Sequence, residues 1–145
     1  MTIPRKPPRS AALTFKAADA IETAVETVEG ARMKGVLAAV PLVCGDASSM
    51  TRWTRKKGLI DPLHQHDDHE SMAILLPGKL RMVIGGNESI LGPGDSWVHA
   101  RGVPHYSEAH EDCGTKTAYR SKSSHRRPAP GACPATLLDI ANHFA

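Results

Sequence analysis

Short apolar runs separated by turn residues dominate the chain beyond residue 35. Each run has the length of a β-strand, and together they cover residues 36–43, 50–56, 71–76, 79–84, 88–91 and 96–100. In the run 79–84, Leu80, Met82 and Ile84 share one face, which predicts a half-buried strand. A Gly-Gly-Asn segment follows it, as a tight hairpin requires. Consecutive strands without intervening helices predict an all-β antiparallel sandwich or barrel.

The two ends of the chain differ from this central part. Residues 1–16 begin with a Pro-rich, basic stretch, which predicts a flexible N-terminal arm. The apolar positions of 17–28 suit either a helix or a strand, and the pattern leaves both open. Residues 114–145 are mostly polar, basic and Pro-rich, so we expect an atypical, partly disordered tail. A single domain with its barrel over 17–113 is therefore predicted.

Charge is unevenly distributed along the 145 residues. Residues 17–113 carry nine Lys or Arg and fourteen Asp or Glu, whereas residues 1–16 carry four basic groups and residues 114–130 carry five, without an acid in either segment. A nucleic-acid interface would have to use these two basic ends, and only 4% of the residues are aromatic and available for base stacking. We therefore expect a small-molecule ligand or substrate rather than nucleic acid.

The chain shows no feature of a membrane or secreted protein. Its first residues contain prolines and charges where a signal peptide needs a continuous apolar run. No segment approaches the roughly 20 apolar residues of a spanning helix. These observations predict a cytoplasmic protein without a membrane partner.

Histidines are the most informative polar residues. His64 and His66 are two residues apart, so on a strand both imidazoles project from one face and can reach a single metal ion at ~2.1 Å. His105 lies beside the turn residues Gly102 and Pro104, where it can supply a third ligand from a neighbouring strand. The spacing predicts a divalent transition-metal site.

Two spaced motifs carry a resemblance to the cupin superfamily. Gly58, five residues, His64-Gln65-His66, three residues and Glu70 match the first cupin motif. In the second motif the matching positions are Gly94, Gly102 and His105, whereas Ala100 and Ala109 stand where proline and asparagine are usual. The resemblance covers about residues 34–112. It implies a double-stranded β-helix, or jelly-roll, barrel that binds Fe, Mn, Ni, Zn or Co.

The resemblance leaves the fourth ligand position open between Glu70 and Ser71. Counting forward from the histidines selects Glu70, whereas counting back from Gly78 selects Ser71. In an unbroken strand Glu70 shares the face of His64 and His66, which favours Glu70. Ser71 would require a β-bulge and would leave three histidines with water.

The same parity argument extends to neighbouring residues. Met72 and Ile74 follow Glu70 in phase, and Met82 joins them from the next strand, so all three are predicted to line the pocket. His69 would point away as a surface residue. His99 is predicted to pack in the core or at the rim rather than to bind metal.

The resemblance also implies a function class. The pattern is similar to stand-alone cupins that include uronate-linearising sugar isomerases, which favours an isomerase or lyase on a small polar metabolite over a dioxygenase. A non-enzymatic ligand-binding or sensing protein, or a purely structural metal site, remains an alternative. Exposed edge strands predict a homodimer.

The last barrel strand of similar cupins has no apolar counterpart here. Either a shortened strand lies around Lys116 to Tyr119, or a frameshift has replaced the C-terminus after about Cys113.

Overall fold

The computed structural model describes residues 13–121. A short 3-10 turn, Ala17–Asp19, precedes twelve strands in this part of the chain. The strands are β1 Thr23–Ala24, β2 Thr27–Val28, β3 Ala31–Arg32, β4 Leu37–Cys44, β5 Ser48–Arg55, β6 Ile60–His64, β7 His69–Leu75, β8 Leu80–Ile84, β9 Asn87–Leu91, β10 Ser96–His99, β11 His105–Ala109 and β12 Cys113–Ser121. The predictions for residues 1–12 and 122–145 lie outside the described residues. None of the helices within residues 13–121 is long and apolar enough to cross a membrane.

The strands form two main antiparallel sheets. The larger has the order β1-β4-β5-β12-β7-β10 and the smaller the order β6-β11-β8-β9, while β2 and β3 form a separate hairpin. The buried core joins the two sheets, with Leu75 and Trp53 from the larger and Leu80 and Met82 from the smaller. This arrangement confirms the predicted all-β jelly-roll class.

Glycines allow two of the tight connections. Gly85 and Gly86 adopt φ values of 56° and 82° between β8 and β9, where Ile84 pairs with Asn87, so the predicted hairpin is present. Gly78 has a φ of 110°, and a Cβ atom there would lie 2.4 Å from the carbonyl oxygen of Asp112. Any larger residue at 78 would push apart the turns that precede β8 and β12.

Strand β12 extends the barrel beyond the predicted boundary at residue 113. It pairs with β5 on one side, from Cys113 opposite Arg55, and with β7 on the other, from Thr115 opposite Leu75. Residues 114–121 thus belong to the centre of the larger sheet rather than to a tail. The sequence allowed a shortened strand around Lys116 to Tyr119, but the barrel was predicted to end at residue 113 because the inward positions Thr115 and Thr117 are polar and no apolar alternation marks the strand.

Strand β7 has the opposite phase from the prediction. Its inward residues are His69, Ser71, Ala73 and Leu75, all buried. The chain bends at Asp67 and Asp68 and passes from β6 of the smaller sheet to β7 of the larger. The two-residue period of a single strand cannot be carried across this bend, which is why counting from His66 failed.

Candidate metal centre

Three histidines meet at the junction of β6 and β11. His64 ends β6, His105 begins β11, and these two residues pair across the smaller sheet. His66 lies just beyond β6, where its carbonyl accepts a hydrogen bond from the backbone N–H of Gly102 at 2.8 Å. The ring centroids of the three residues are 4.4 to 5.1 Å apart. The structure therefore brings together all three histidines that the sequence singled out.

The donor atoms are close enough to bind one ion after a small adjustment. One nitrogen from each ring lies within 4.8 Å of the other two. Nitrogens bound to one ion at ~2.1 Å can be at most about 4.2 Å apart, so binding would draw the rings together by roughly half an ångström. Side-chain rotation alone can supply such a shift.

Each ring is oriented by an acceptor at its Nδ1 atom. His64 Nδ1 donates to the carbonyl oxygen of Pro62, and His105 Nδ1 donates to that of Val103 at 3.0 Å. His66 Nδ1 donates to Glu29 Oε1, also at 3.0 Å. Since these oxygens can only accept, the Nδ1 atoms carry the protons, which is the tautomer that presents an Nε2 lone pair to a metal ion. Rings anchored in this way are typical of metal ligands.

Burial keeps the imidazoles of His66 and His105 in the neutral form that binds metal. His66 and His105 are only 5% and 1% exposed. Burial, with the neighbouring His69 adding to it, lowers the pKa of His66 far below its usual range. Burial also lowers the pKa of His105 to about 4. His105 Nε2 is buried without a hydrogen-bond partner, as expected of an atom that awaits a ligand.

Glu70 does not join this group. It lies on the outer face of β7, and the convergent group among the described residues is His64, His66 and His105. Ser71 instead points inward and is 4% exposed. Because a neutral serine is a poor metal ligand, the geometry favours three histidines with open positions over three histidines and a carboxylate.

Two further histidines pack against the group. His69 is 8% exposed, and its ring stacks on that of His66 with centroids 4.4 Å apart, so the surface position predicted for it is wrong. The ring of His99 lies 3.6 Å from that of His105 at an interplanar angle of 6°. Burial and the adjacent His105 lower the pKa of His99 to about 2. Both rings thus hold neighbouring rings in place by direct contact.

Two acidic residues near the rings were not singled out from the sequence. Glu29 sits in the β2–β3 turn with a φ of 46° and reaches His66 over 37 positions of sequence. Asp61 Oδ1 lies 3.5 Å from His64 Nδ1, and burial raises the pKa of Asp61. The sequence carries no local signal for either contact, because both depend on how distant strands pack.

A cavity of about 50 Å³ opens beside the three rings, and the larger sheet contributes Trp53, Arg55 and Tyr119 to its lining. The residues predicted to line it lie elsewhere. Met72 and Ile74 are on the outer face of β7, 61% and 38% exposed, because β7 has the opposite phase. Met82 points inward but is a core residue, 2% exposed, that does not line this cavity.

Comparisons with known proteins agree with the fold. The family model described as Cupin domain matches residues 51–115, which include β6, β11 and all three histidines. No curated protein sequence matches the chain significantly. Solved structures, in contrast, include many cupins of similar fold.

Three of these structures match this chain over nearly their whole length. KdgF from Halomonas sp. is 17% identical, with a TM-score of 0.67 over 79% of this chain and 98% of its own. A predicted oxalate decarboxylase from Thermotoga maritima is 16% identical, with a TM-score of 0.65 over 75% and 99%. An RmlC-like cupin from Shewanella frigidimarina is 13% identical, with a TM-score of 0.63 over 83% and 97%. Together with the family model, which matches less than half of the chain, these structures show that this chain has a cupin fold.

Proposed function

We propose that this cupin is a metal-dependent enzyme that acts on a small polar metabolite, with His64, His66 and His105 as the metal ligands. The observation that carries the proposal is the common orientation of the three rings. Each Nδ1 atom donates to an acceptor, and one nitrogen from each ring lies within 4.8 Å of the other two beside a cavity. The donor set suits Fe, Mn, Ni, Zn or Co without selecting one of them.

Isomerase or lyase chemistry is favoured over dioxygenation. A divalent ion with open positions would act as a Lewis acid on a carbonyl or hydroxyl group, which is sufficient for both isomerisation and elimination. One of the similar structures is described as a predicted oxalate decarboxylase, and decarboxylation is a lyase reaction. The role of the chain's own residues would be to orient the substrate and to exclude water from the cavity.

Metal binding is tested first, on the purified full chain after removal of bound ions. Titration with Co²⁺, followed by its visible absorption, should show one ion per chain. His105→Ala should weaken this binding at least ~100-fold, because losing a ligand should exceed the 10- to 100-fold effect of a lost anchor. His110→Ala is the matched control, since His110 lies outside the convergent group. Equal affinity of His105→Ala and the unchanged chain would contradict the proposal.

Turnover is tested next with the metal-loaded protein and a panel of sugar acids and small hydroxy acids. Product formation that stops on chelation and in His64→Ala would support an enzyme. Tight binding without product would favour a ligand-binding or sensing protein. A large fall in melting temperature on chelation, with no response to any small molecule, would favour a structural metal site.

We also propose a homodimer and a cytoplasmic location for the chain. Strand β10 ends the larger sheet and strand β9 ends the smaller within residues 13–121, so both present edges that another chain can pair with. Light scattering of the purified chain would measure its mass in solution. A monomeric mass at micromolar concentration would contradict the dimer.

A further inference from the structure

Arg55 is a buried cation that faces the same cavity as the three histidines. It is the last residue of β5, points inward and is 8% exposed. Its Nη1 atom donates a hydrogen bond to Thr115 Oγ1 at 2.8 Å. Its Nε atom is buried without a hydrogen-bond partner. One edge of the guanidinium is therefore anchored, and the edge that carries Nε has no protein acceptor.

No acidic residue described by the structure forms an ion pair with Arg55. The buried Asp61 carboxyl is close enough to interact electrostatically with Arg55, but the two side chains form no ion pair. A buried guanidinium without a carboxylate partner is costly unless something else neutralises it. Such a group in a cavity wall is a candidate for binding an anionic ligand.

We propose that Arg55 binds the carboxylate group of the ligand, so that the substrate class of this site is a small carboxylic acid. The inference rests on the proposed function, because the other end of the ligand would bind at the proposed metal site. The guanidinium would donate from its Nε edge to the two carboxylate oxygens, which is the pairing that arginine geometry favours. A second oxygen of the ligand would then face the three histidines from the opposite wall.

The architecture and the size of the cavity fit this assignment. Arg55 belongs to the larger sheet, whereas His64 and His105 belong to the smaller, so the two ends of a ligand would contact different sheets. A cavity of about 50 Å³ has room for on the order of four water-sized groups. The part of the acid that enters the cavity therefore has few non-hydrogen atoms.

The test measures binding of lactate and of the matched neutral amide, lactamide, by tryptophan fluorescence, because both Trp53 and Trp97 line this cavity. The unchanged metal-loaded chain should bind lactate at least ~10-fold more tightly than lactamide. Arg55→Gln should lose roughly 10- to 100-fold in lactate affinity and little in lactamide affinity. Arg55→Lys keeps the positive charge but lacks the planar, two-donor edge of the guanidinium. Its lactate affinity should therefore lie between those of the unchanged chain and Arg55→Gln. Arg52→Gln on the outer face of β5 is the matched control and should bind lactate normally.

Two readouts separate this inference from the metal proposal. Co²⁺ absorption reports whether Arg55→Gln still folds and binds the ion, as expected if Arg55 only contacts the ligand. If no variant binds metal but lactate still binds the metal-free chain through Arg55, the metal proposal fails and the Arg55 assignment stands. If metal binds while lactate and lactamide bind equally, or neither binds, the Arg55 assignment is overturned.

Discussion

The two faces of the larger sheet differ from those of an ordinary barrel wall, because the inner face includes buried polar side chains and the outer face includes exposed apolar ones. The inner face carries Arg55, Ser71 and Thr117, all buried, together with the Trp53–Tyr119 hydrogen bond of 2.7 Å. The outer face carries apolar side chains that are largely exposed: Met50, Met72, Ile74 and Val98. Burying polar groups costs free energy unless they are paired, so an inner face of this kind is better explained by a polar occupant than by stability.

Apolar side chains are closely packed only on part of the inner face. Substitution of an apolar residue there should therefore have the largest effect on stability. Leu75 is fully buried against the core, so Leu75→Ala should lower the free energy of unfolding by about 2–5 kcal/mol. Met72→Ala, three residues earlier on the outer face, should cost less than about 1 kcal/mol because Met72 is 61% exposed. Urea unfolding of both variants measures the difference. Equal losses would show that the outer face is covered in solution.

We expect an intermediate effect from substitution of Glu29, which should reduce metal affinity without reducing the stability of the surrounding sheet. The Glu29 carboxylate holds the His66 ring from outside both sheets, so Glu29→Ala should weaken Co²⁺ binding roughly 10- to 100-fold with little change in stability. Glu26→Ala, an exposed residue of the same region, is the control. An unchanged Co²⁺ affinity in Glu29→Ala would mean that the ring is held by packing alone.

We expect the smallest effect on metal affinity from substitution of Glu70. This variant tests directly which residues of β7 face the cavity. Because Glu70 lies on the outer face, Glu70→Gln should change Co²⁺ affinity by less than about threefold, which is below 1 kcal/mol. Ser71→Ala on the inner face is the companion variant for the same titration. A tenfold loss in Glu70→Gln would show that β7 rotates when the ion binds, and it would restore the sequence-based assignment of Glu70.

The fold and the convergence of three histidines could be predicted from the sequence because their signals are local. Turn residues divide the chain into strands, and the spacing of His64, His66 and His105 survives in the structure. Glu70 was assigned by counting along one strand, but the bend at Asp67 moves the chain to the other sheet and reverses the phase. Local periodicity contains no information about such a change of sheet.

The missed residues depend on packing between sheets. Arg55 and His99 reach the cavity only because the larger sheet folds over the smaller, and Glu29 reaches His66 from a hairpin far away in sequence. Strand β12 was predicted only as one alternative, a shortened strand around Lys116 to Tyr119, since its inward Thr115 and Thr117 conceal the alternation that normally marks a strand.

The division of the cavity between two sheets has an evolutionary consequence. The three imidazoles depend on β6, the turn after it and β11, whereas Arg55 belongs to β5 of the other sheet. Substitutions in the core between the sheets would therefore change the spacing between cation and guanidinium while leaving the imidazoles together. If the proposed acid and ion bind here, descendants of this chain could adapt to acids of different length by repacking leucines, without altering one of the three histidines.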